Sequence, residues 1–456
     1  MGAVEESLAR FVAETSPEAI PRASYQAARQ GCFDCIGVTL AGAAQAPGQM
    51  IARFVAEQES KPVCTVIGTP VRASPHLAAL ANGTLGHVLD YDDMGAHGYP
   101  WHPSVSLLPA ALALGEELGV GGKEVLTAYL IGFEVAAHLS FGSRSPQAES
   151  GFHATAVFGA LGATAVACRL LELDTQQTLM ALGLAASMPS GILQNFGTHA
   201  KSLHAGMACR NGVLAASLAR QGWKATDAFI ESKVGWAHAY LGEDKYHPEQ
   251  MVRGLGKTWH SEHTIVIKKY PCCGASHSAV DSLLSLMAEH GLRYEDVKEV
   301  HVSLLPALSY VLLYPKPEYG FQGKFSIQYS LAAALLDGGL GIESFEDGAA
   351  LRPEVQEALD KITVHVLPHW DPGDYAANPV RLVLQDGRAL ERSTSRHQMH
   401  GTPLDPLGEE ELKDKFLGCA RRSLPEAQAR QALAAWWDLE RAQDIREPLR
   451  TVALDR

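Results

Sequence analysis

Three stretches in which small residues recur at helical spacing constrain this chain more than any other feature: GALGATAVACRLL (159–171), ALGLAASMPSG (181–191) and GMACRNGVLAASLA (206–219). A glycine inside a helix costs about 1 kcal/mol against alanine, so its repeated use needs compensation. Gly and Ala three and four residues apart strip bulk from a helix face, and two such faces let backbones approach closely. The expectation is a tightly packed helical bundle, or backbone brought up against a ligand.

Helical spacing of apolar residues continues to about residue 262, interrupted only by a short strand-like PVCTVIG near residue 65. Beyond 263 the pattern changes. VKEVHVSLL (297–305), KITVHVLP (361–368) and VRLVLQDGRALERST (380–394) alternate apolar and polar residues, the last through an Asp386-Gly387 hairpin turn. SHSAVDSLLSLMAEHG and SIQYSLAAALLDG between them read as helices, and the tail from about 405 is helical again. A chain of 456 residues with 46% hydrophobic content buries a large core and suggests two to three domains. The expected fold is mainly α. A large all-helical domain is built from both chain ends (1–262 and 400–456), with a smaller α+β domain (263–399) inserted between them.

The balance of 38 basic against 51 acidic side chains, net −13, argues against a nucleic-acid or anionic-membrane surface. An anionic ligand therefore requires a locally basic pocket. The N-terminus MGAVEESLARFVAE has neither a basic nor an apolar signal region, so a cytoplasmic location is the default expectation. ATAVFGALGATAVAC, between His153 and Arg169, falls short of the roughly 18 to 20 residues of a membrane span and reads as a buried helix. Eight cysteines without a secretory signal suggest free thiols, and Cys32-Phe-Asp-Cys35 lies in a helical pattern without the βαβ context of a redox motif. GLGKT (254–258) ends like a phosphate-binding loop, but Met251 stands where that loop requires glycine. Asp90, Asp92 and Asp93 lack the second acidic cluster that magnesium-dependent prenyl chemistry uses.

The segment LDYDDMGAHGYPWHPS (89–104) concentrates chemistry-bearing residues: Asp90, Asp92, Asp93, His97 and His102. His87 and Asp90 lie three apart on one helical face, so with His97 and His102 they have metal-ligand character. Alternatively, a carboxylate at the helix end holds a nearby imidazole in one tautomer and raises its pKa, as a general acid/base requires. The third reading is structural, with Asp90 as a cap and His102 as a polar residue near a helix start. Other isolated polar residues in small-residue surroundings are His153, Lys201, His204, Lys268 and Lys269 before Tyr270-Pro271-Cys272-Cys273, His277 and Tyr329. Each alone reads more simply as structural. Together they supply the groups that bind carboxylates and move protons, and helix N-termini add anion-binding amides.

In order along the chain, LANGTLGHVLDYDD with HPS, GFHATAVFGALGATAVACRLLELD, GTHAKSLHAGMACRNGVLAASLARQGW, KKYPCCGASHSAVD and KFSIQYSLAAALLDG resemble the MmgE/PrpD family, over about residues 5–450. The resemblance implies a homodimeric, cofactor-independent enzyme without a metal, whose inserted α+β domain acts as a lid. Its members include 2-methylcitrate dehydratases, cis-aconitate decarboxylases and an iminodisuccinate epimerase. All handle small polycarboxylic acids through a carbanion-like centre beside a carboxylate. Carried over by position, the catalytic residues are Asp90, His102, His153, Lys201, His277 and Tyr329, with Lys268, Cys273, His204 and Met94 on the substrate. Asp92 and Asp93 are expected to cap or hold the loop.

Decarboxylase-type members carry Thr where Met94 stands and His where Cys273 stands, which lowers that reading. Longer 2-methylcitrate dehydratases lack a GFHATA-like segment, and the epimerase-type and generic MmgE-like members are most similar, with an aromatic-His pair before the small-residue helix and the pattern of Asn195–Gly206. The expectation is a lyase or isomerase moving a proton next to a carboxylate, with His102, oriented by Asp90, and His153 as the acid/base pair. Dehydration of a citrate-type acid ranks first as the commoner family assignment, then epimerisation, then decarboxylation. A non-catalytic polycarboxylate-binding protein is the alternative of another class.

Overall fold

In the computed structural model, which describes residues 2–96, 99–143, 150–368 and 378–455, the chain is mainly α-helical with small sheets. The small-residue stretches do what their composition dictates. A Cβ on Gly83, in the helix Pro75–His87, would stand 2.8 Å from Gly206 Cα in the helix His199–Arg220. One on Gly212 would meet the Ala163 carbonyl carbon at 2.5 Å, which locks the same helix to Ala154–Leu170. Backbones this close exclude any side chain larger than hydrogen, and many dispersion contacts offset the propensity cost.

Helix boundaries follow local chemistry. Pro103 and Pro75 occupy the first turns of their helices, where a missing N–H costs nothing. The helix Thr175–Ala185 opens with a capping box between Asp174 and Gln177. Residues 221–260, expected to continue the helical pattern, contain one short helix, Trp236–Leu241, among turns. The reason lies in the backbone: Gly222, Gly242, Gly254, Gly256 and Asp244 all take left-handed φ values, which stop a right-handed helix.

Beyond residue 263, the central strand Val297–Leu304 pairs in parallel with Ile362–Val366 and antiparallel with Val380–Leu384. The latter pairs antiparallel with Ala389–Arg392 across the expected hairpin, where Gly387 has φ +86°. Val300, Val302 and Leu304 face inward, and the helices His277–His290 and Ile327–Asp337 join them in one apolar cluster drawn from residues 270–384. A larger cluster takes residues 4–267 together with 412–452, so the tail packs with the N-terminal helices. There Phe416 stacks on Phe33 with ring centroids 4.4 Å apart, and Lys415 Nζ lies 2.7 Å from the buried Asp34 carboxylate.

All eight cysteines are free thiols, with Cys32 and Cys35 fully buried in the larger cluster. The helix Gly122–Phe141 is long and apolar enough by length and composition to cross a membrane, a segment the sequence reading passed over. Inside the protein 89% of its most apolar window is buried, which accounts for that composition by packing.

Candidate active site

Three helix N-termini and one helix C-terminus meet at a buried polar cluster. His102 and His153 hold the N-cap positions of Pro103–Leu118 and Ala154–Leu170, and Lys201 lies in the first turn of His199–Arg220. His87 is the last residue of Pro75–His87. Just past it, Asp90 adopts φ +51°, a left-handed conformation that turns its carboxylate back into the cluster. Oriented amides at three N-termini make this a region favourable to anions.

Asp90 is the electrostatic centre. Its Oδ1 lies 2.6 Å from Lys201 Nζ, and its Oδ2 lies 3.1 Å from Lys268 Nζ. Burial would raise its pKa, but the two ammonium groups overcome that and hold it well below the usual carboxylate range. Lys268 in turn has its pKa raised, since Asp90 and Asp92 outweigh a desolvation that acts the other way. Lys201 also donates to His87 Nε2 at 2.8 Å, and its Nζ lies 5.1 Å from the Phe196 ring centroid.

Asp92 does more than hold the loop. Its carboxylate lies 3.0 Å from His87 Nδ1 and 3.0 Å from His102 Nδ1, whereas His102 Nε2 stands 3.9 Å from Asp90. The expected orienting role of Asp90 on His102 is therefore geometrically that of Asp92. His102 Nδ1 faces only acceptors, Asp92 and the Asp93 carbonyl at 2.9 Å, so it carries the proton and leaves Nε2 as a bare base. Burial and the two lysines depress the His102 pKa against the opposing pull of Asp92, so the imidazole is neutral at rest. Asp93 does cap, accepting from Ser104 N at 3.0 Å and Ser104 Oγ at 2.6 Å. Burial pushes its pKa well up, against the two Ser104 hydrogen bonds that favour the charged form.

His153 Nδ1 lies 3.1 Å from His204 Nδ1, and its ring stacks on His87 with centroids 5.7 Å apart. Burial drives the His153 pKa well down and that of His204 to about 4. Met94 packs its sulfur against Gly274, adjoining Cys273, so these two positions meet at one wall. Two expected residues make their side-chain hydrogen bonds to backbone carbonyls. His277 Nε2 lies 3.3 Å from the Cys272 carbonyl, with its pKa pushed by burial and then Lys268 to about 3. Tyr329 donates its hydroxyl to the Ser344 carbonyl and packs on Phe345, inside the smaller apolar cluster. His97 lies outside the described residues.

Sequence reasoning missed Lys324, whose ammonium donates to the carbonyls of Leu89 at 3.0 Å and Pro271 at 3.1 Å, joining the two site segments. Burial lowers its pKa to about 8. It also missed the braces from Lys415 to the carbonyls of Tyr91 (3.0 Å) and Lys268 (2.8 Å). The signal available for Lys324 was its place in KFSIQYS; for Lys415, inside the charged run EEELKDK, there was none.

His87, Asp90, Asp92 and His102 place potential metal-ligand atoms within 4.8 Å of one another. The ammonium groups of Lys201 and Lys268 already neutralise Asp90, and Lys201 occupies His87 Nε2, so a dication would meet two buried positive charges. The set suits an anion better. A surface cleft lined by residues including Glu18, Lys123 and Arg169 shares none of these groups and contains no histidine.

Residues 6–249 match the MmgE/PrpD N-terminal domain and residues 270–439 the MmgE/PrpD C-terminal domain. The chain is 28% identical over 416 residues to a cis-aconitate decarboxylase of Homo sapiens, covering 88% of this chain and 84% of that one. It is 26% identical over 471 residues to a cis-aconitate decarboxylase of Aspergillus terreus, covering 97% and 94%. To a probable 2-methylcitrate dehydratase of Saccharomyces cerevisiae it is 24% identical over 417 residues, covering 85% and 80%. With a cluster of lysine-bound carboxylate and oriented imidazoles on the matching segments, the chain belongs to the MmgE/PrpD family of enzymes.

Proposed function

We propose that the chain is a lyase acting on a small tricarboxylic acid of the cis-aconitate or citrate type, through proton transfer at a carbon next to a carboxylate. The observation that carries this reading is the buried Lys201–Asp90–Lys268 arrangement beside the bare Nε2 of His102. Three buried ammonium groups, those of Lys201, Lys268 and Lys324, against the carboxylates of Asp90 and Asp92 leave net positive charge in a chain of net −13. Substrate carboxylates complete that balance, and the lysines stabilise the negative charge that develops on an enolate-like centre.

Decarboxylation moves ahead of dehydration because relatives bearing that name align with most of both chains. In that reaction the C–C bond to one carboxylate breaks and carbon dioxide leaves. The electron pair passes into the remaining conjugated acid and is quenched by a proton. Incoming carboxylates raise the proton affinity of a neutral imidazole, so His102 or His153 becomes the acid. Dehydration is the second reading, favoured by the Met94 thioether and Cys273 thiol, which put a weak acceptor and a weak donor where decarboxylase-type members carry a hydroxyl and an imidazole. There His102 takes the proton and returns it to the departing β-hydroxyl, which leaves as water while the C–H electron pair forms the double bond. Residues of the smaller apolar cluster, with His277 and Tyr329, would close over the substrate as a lid.

Proton NMR in D2O with cis-aconitate, citrate and 2-methylcitrate tests the reading. Loss of a carboxylate or a new olefinic signal supports a lyase and separates the two reactions. Deuterium entry without a new skeleton means an epimerase, and no change with any acid removes the proposal.

A further inference from the structure

A second cluster of ionisable groups lies apart from the polycarboxylate site and shares no residue with it. Glu134 and His138, four residues apart on one face of the helix Gly122–Phe141, are both buried. His260 reaches the same point from the residue before the one-turn helix Ser261–Thr264. Its ring lies edge-on to that of His138, with centroids 4.5 Å apart.

Satisfaction of hydrogen bonds separates this cluster from an ordinary buried one. Among the described residues, neither ring nitrogen of His138 and not the Nε2 of His260 has a hydrogen-bond partner. The Thr258 backbone lies near His138 without reaching hydrogen-bonding geometry. An imidazole at 0% exposure with both nitrogens orphaned loses its hydration without replacement, a cost that a folded protein normally avoids. One nitrogen of the neutral His138 ring carries a proton, which leaves one lone pair there and one on His260 Nε2 for a ligand to take.

The remaining contacts arrange the lone pairs toward one point. His260 Nδ1 lies 2.7 Å from the Tyr99 hydroxyl, so with Nδ1–H donating to Tyr99, Nε2 is left bare and its ring is held. A second partner of this kind is what fixes a metal-bound histidine. Glu134 accepts from His260 N and Ser261 N, each at 2.9 Å, and each oxygen keeps a further lone pair. One ligand atom from each of the three residues lies within 4.8 Å of the other two. Tetrahedral zinc needs about 3.3 Å between ligands bonded at about 2.0–2.1 Å, so modest inward rotation closes the set.

We propose that Glu134, His138 and His260 bind a zinc-like divalent cation, with a fourth position open to water. Two imidazoles and one carboxylate suit a borderline metal better than calcium or magnesium, which prefer all-oxygen shells. His260 is half-buried beside the exposed Phe141, with its Nε2 turned inward. The ion is structural here. It fastens the helix Gly122–Phe141 to the 258–264 segment and, through Tyr99, to the loop that carries Met94 and His102. Ala96 N already bonds the Thr264 carbonyl at 2.7 Å, so that loop and the metal-bearing segment move together.

The test is a cobalt(II) titration of the chelator-treated full chain, read by visible ligand-field absorption, with zinc displacement for affinity. One equivalent with tetrahedral or five-coordinate absorption is expected. His138→Leu and His260→Gln should each lose at least about 10-fold in affinity, and Tyr99→Phe, which keeps all three ligands, about 10- to 100-fold. His260→Gln lies at a half-buried position, so it reports even where His138→Leu fails to fold. His87→Gln, in the other cluster, should retain the signal. No cobalt spectrum, binding untouched by His260→Gln, or a signal lost only in His87→Gln would each overturn the site.

Discussion

Lys268 holds Asp90 at two points, through an ion pair with Nζ 3.1 Å from the carboxylate and a hydrogen bond of 2.8 Å to the backbone carbonyl of the same residue. One lysine thus fixes both the charge and the left-handed backbone of Asp90. Asp90→Asn strands two buried ammonium groups, while Lys201→Met leaves Asp90 its second partner. Asp90→Asn should therefore cost about 3–5 kcal/mol, and Lys201→Met distinctly less. Both should cut turnover at least about 100-fold. Urea midpoints measured beside steady-state rates decide it, and equal stability losses would contradict the unequal pairing.

Asp92 holds the Nδ1 protons of His87 and His102 together. Asp92→Asn removes the charge that holds both protons and, with its oxygen in the Oδ2 place, sets an amide N–H against His87 Nδ1, so the rings lose their fixed tautomer. A fall in kcat of about 100-fold or more, with KM little changed, is the expected result. A variant limited in KM alone would assign Asp92 to binding instead.

Buried neutral histidines make the fold acid-labile. Burial pushes His87 and His204 to about 4 and His277 to about 3, against an ordinary value of 6.5. Between those values the unfolded chain binds more protons than the folded one, so stability is full above about pH 6.5 and falls toward pH 4. The loss is on the order of 1 kcal/mol per pH unit for each group. Denaturant midpoints from pH 7.5 to 5 should drop steeply, and His277→Leu should flatten the slope. A flat profile in the parent would show that folding leaves the pKa values of these imidazoles unshifted.

Lys324, lowered by burial to about 8, loses its positive charge as pH rises through that value. With the polyanionic substrate proposed above, KM should climb above pH 8. Lys324→Arg keeps its charge at any accessible pH and should remove the climb while retaining donors to Leu89 and Pro271. A parent profile flat to pH 9.5 would exclude Lys324 from charge balance.

Close helix packing gives a contrast between two glycines. A Cβ on Gly206 would collide with the Leu80 carbonyl oxygen and Thr84, whereas one on Gly418, inside the helix Glu409–Ala420, meets nothing within 4 Å. Gly206→Ala should destabilise by about 1–3 kcal/mol or more, and Gly418→Ala should stabilise by up to about 1 kcal/mol. Thermal melts with opposite shifts support the packing, and similar shifts would contradict it.

The sequence by itself determined whatever depends on neighbours along the chain. Small-residue spacing in 159–171 and 206–219 required close helices, alternation in 297–305 and 380–394 required strands, and Asp386-Gly387 required a turn. It also marked Asp90, His102, His153, Lys201 and Lys268 as residues worth bringing together. Only the tertiary structure decided who partners whom. Asp92 rather than Asp90 faces His102 Nδ1 because a left-handed φ at Asp90 turns its carboxylate toward the lysines, and backbone handedness at one residue leaves no periodic trace. Lys324 and Lys415 enter the site from 234 and 324 residues beyond Asp90 and Tyr91, respectively, and Tyr329 turns to Ser344 instead. The orphaned nitrogens of His138 were invisible for the same reason: an unpaired group is defined by what surrounds it in space, and a sequence lists only what precedes and follows.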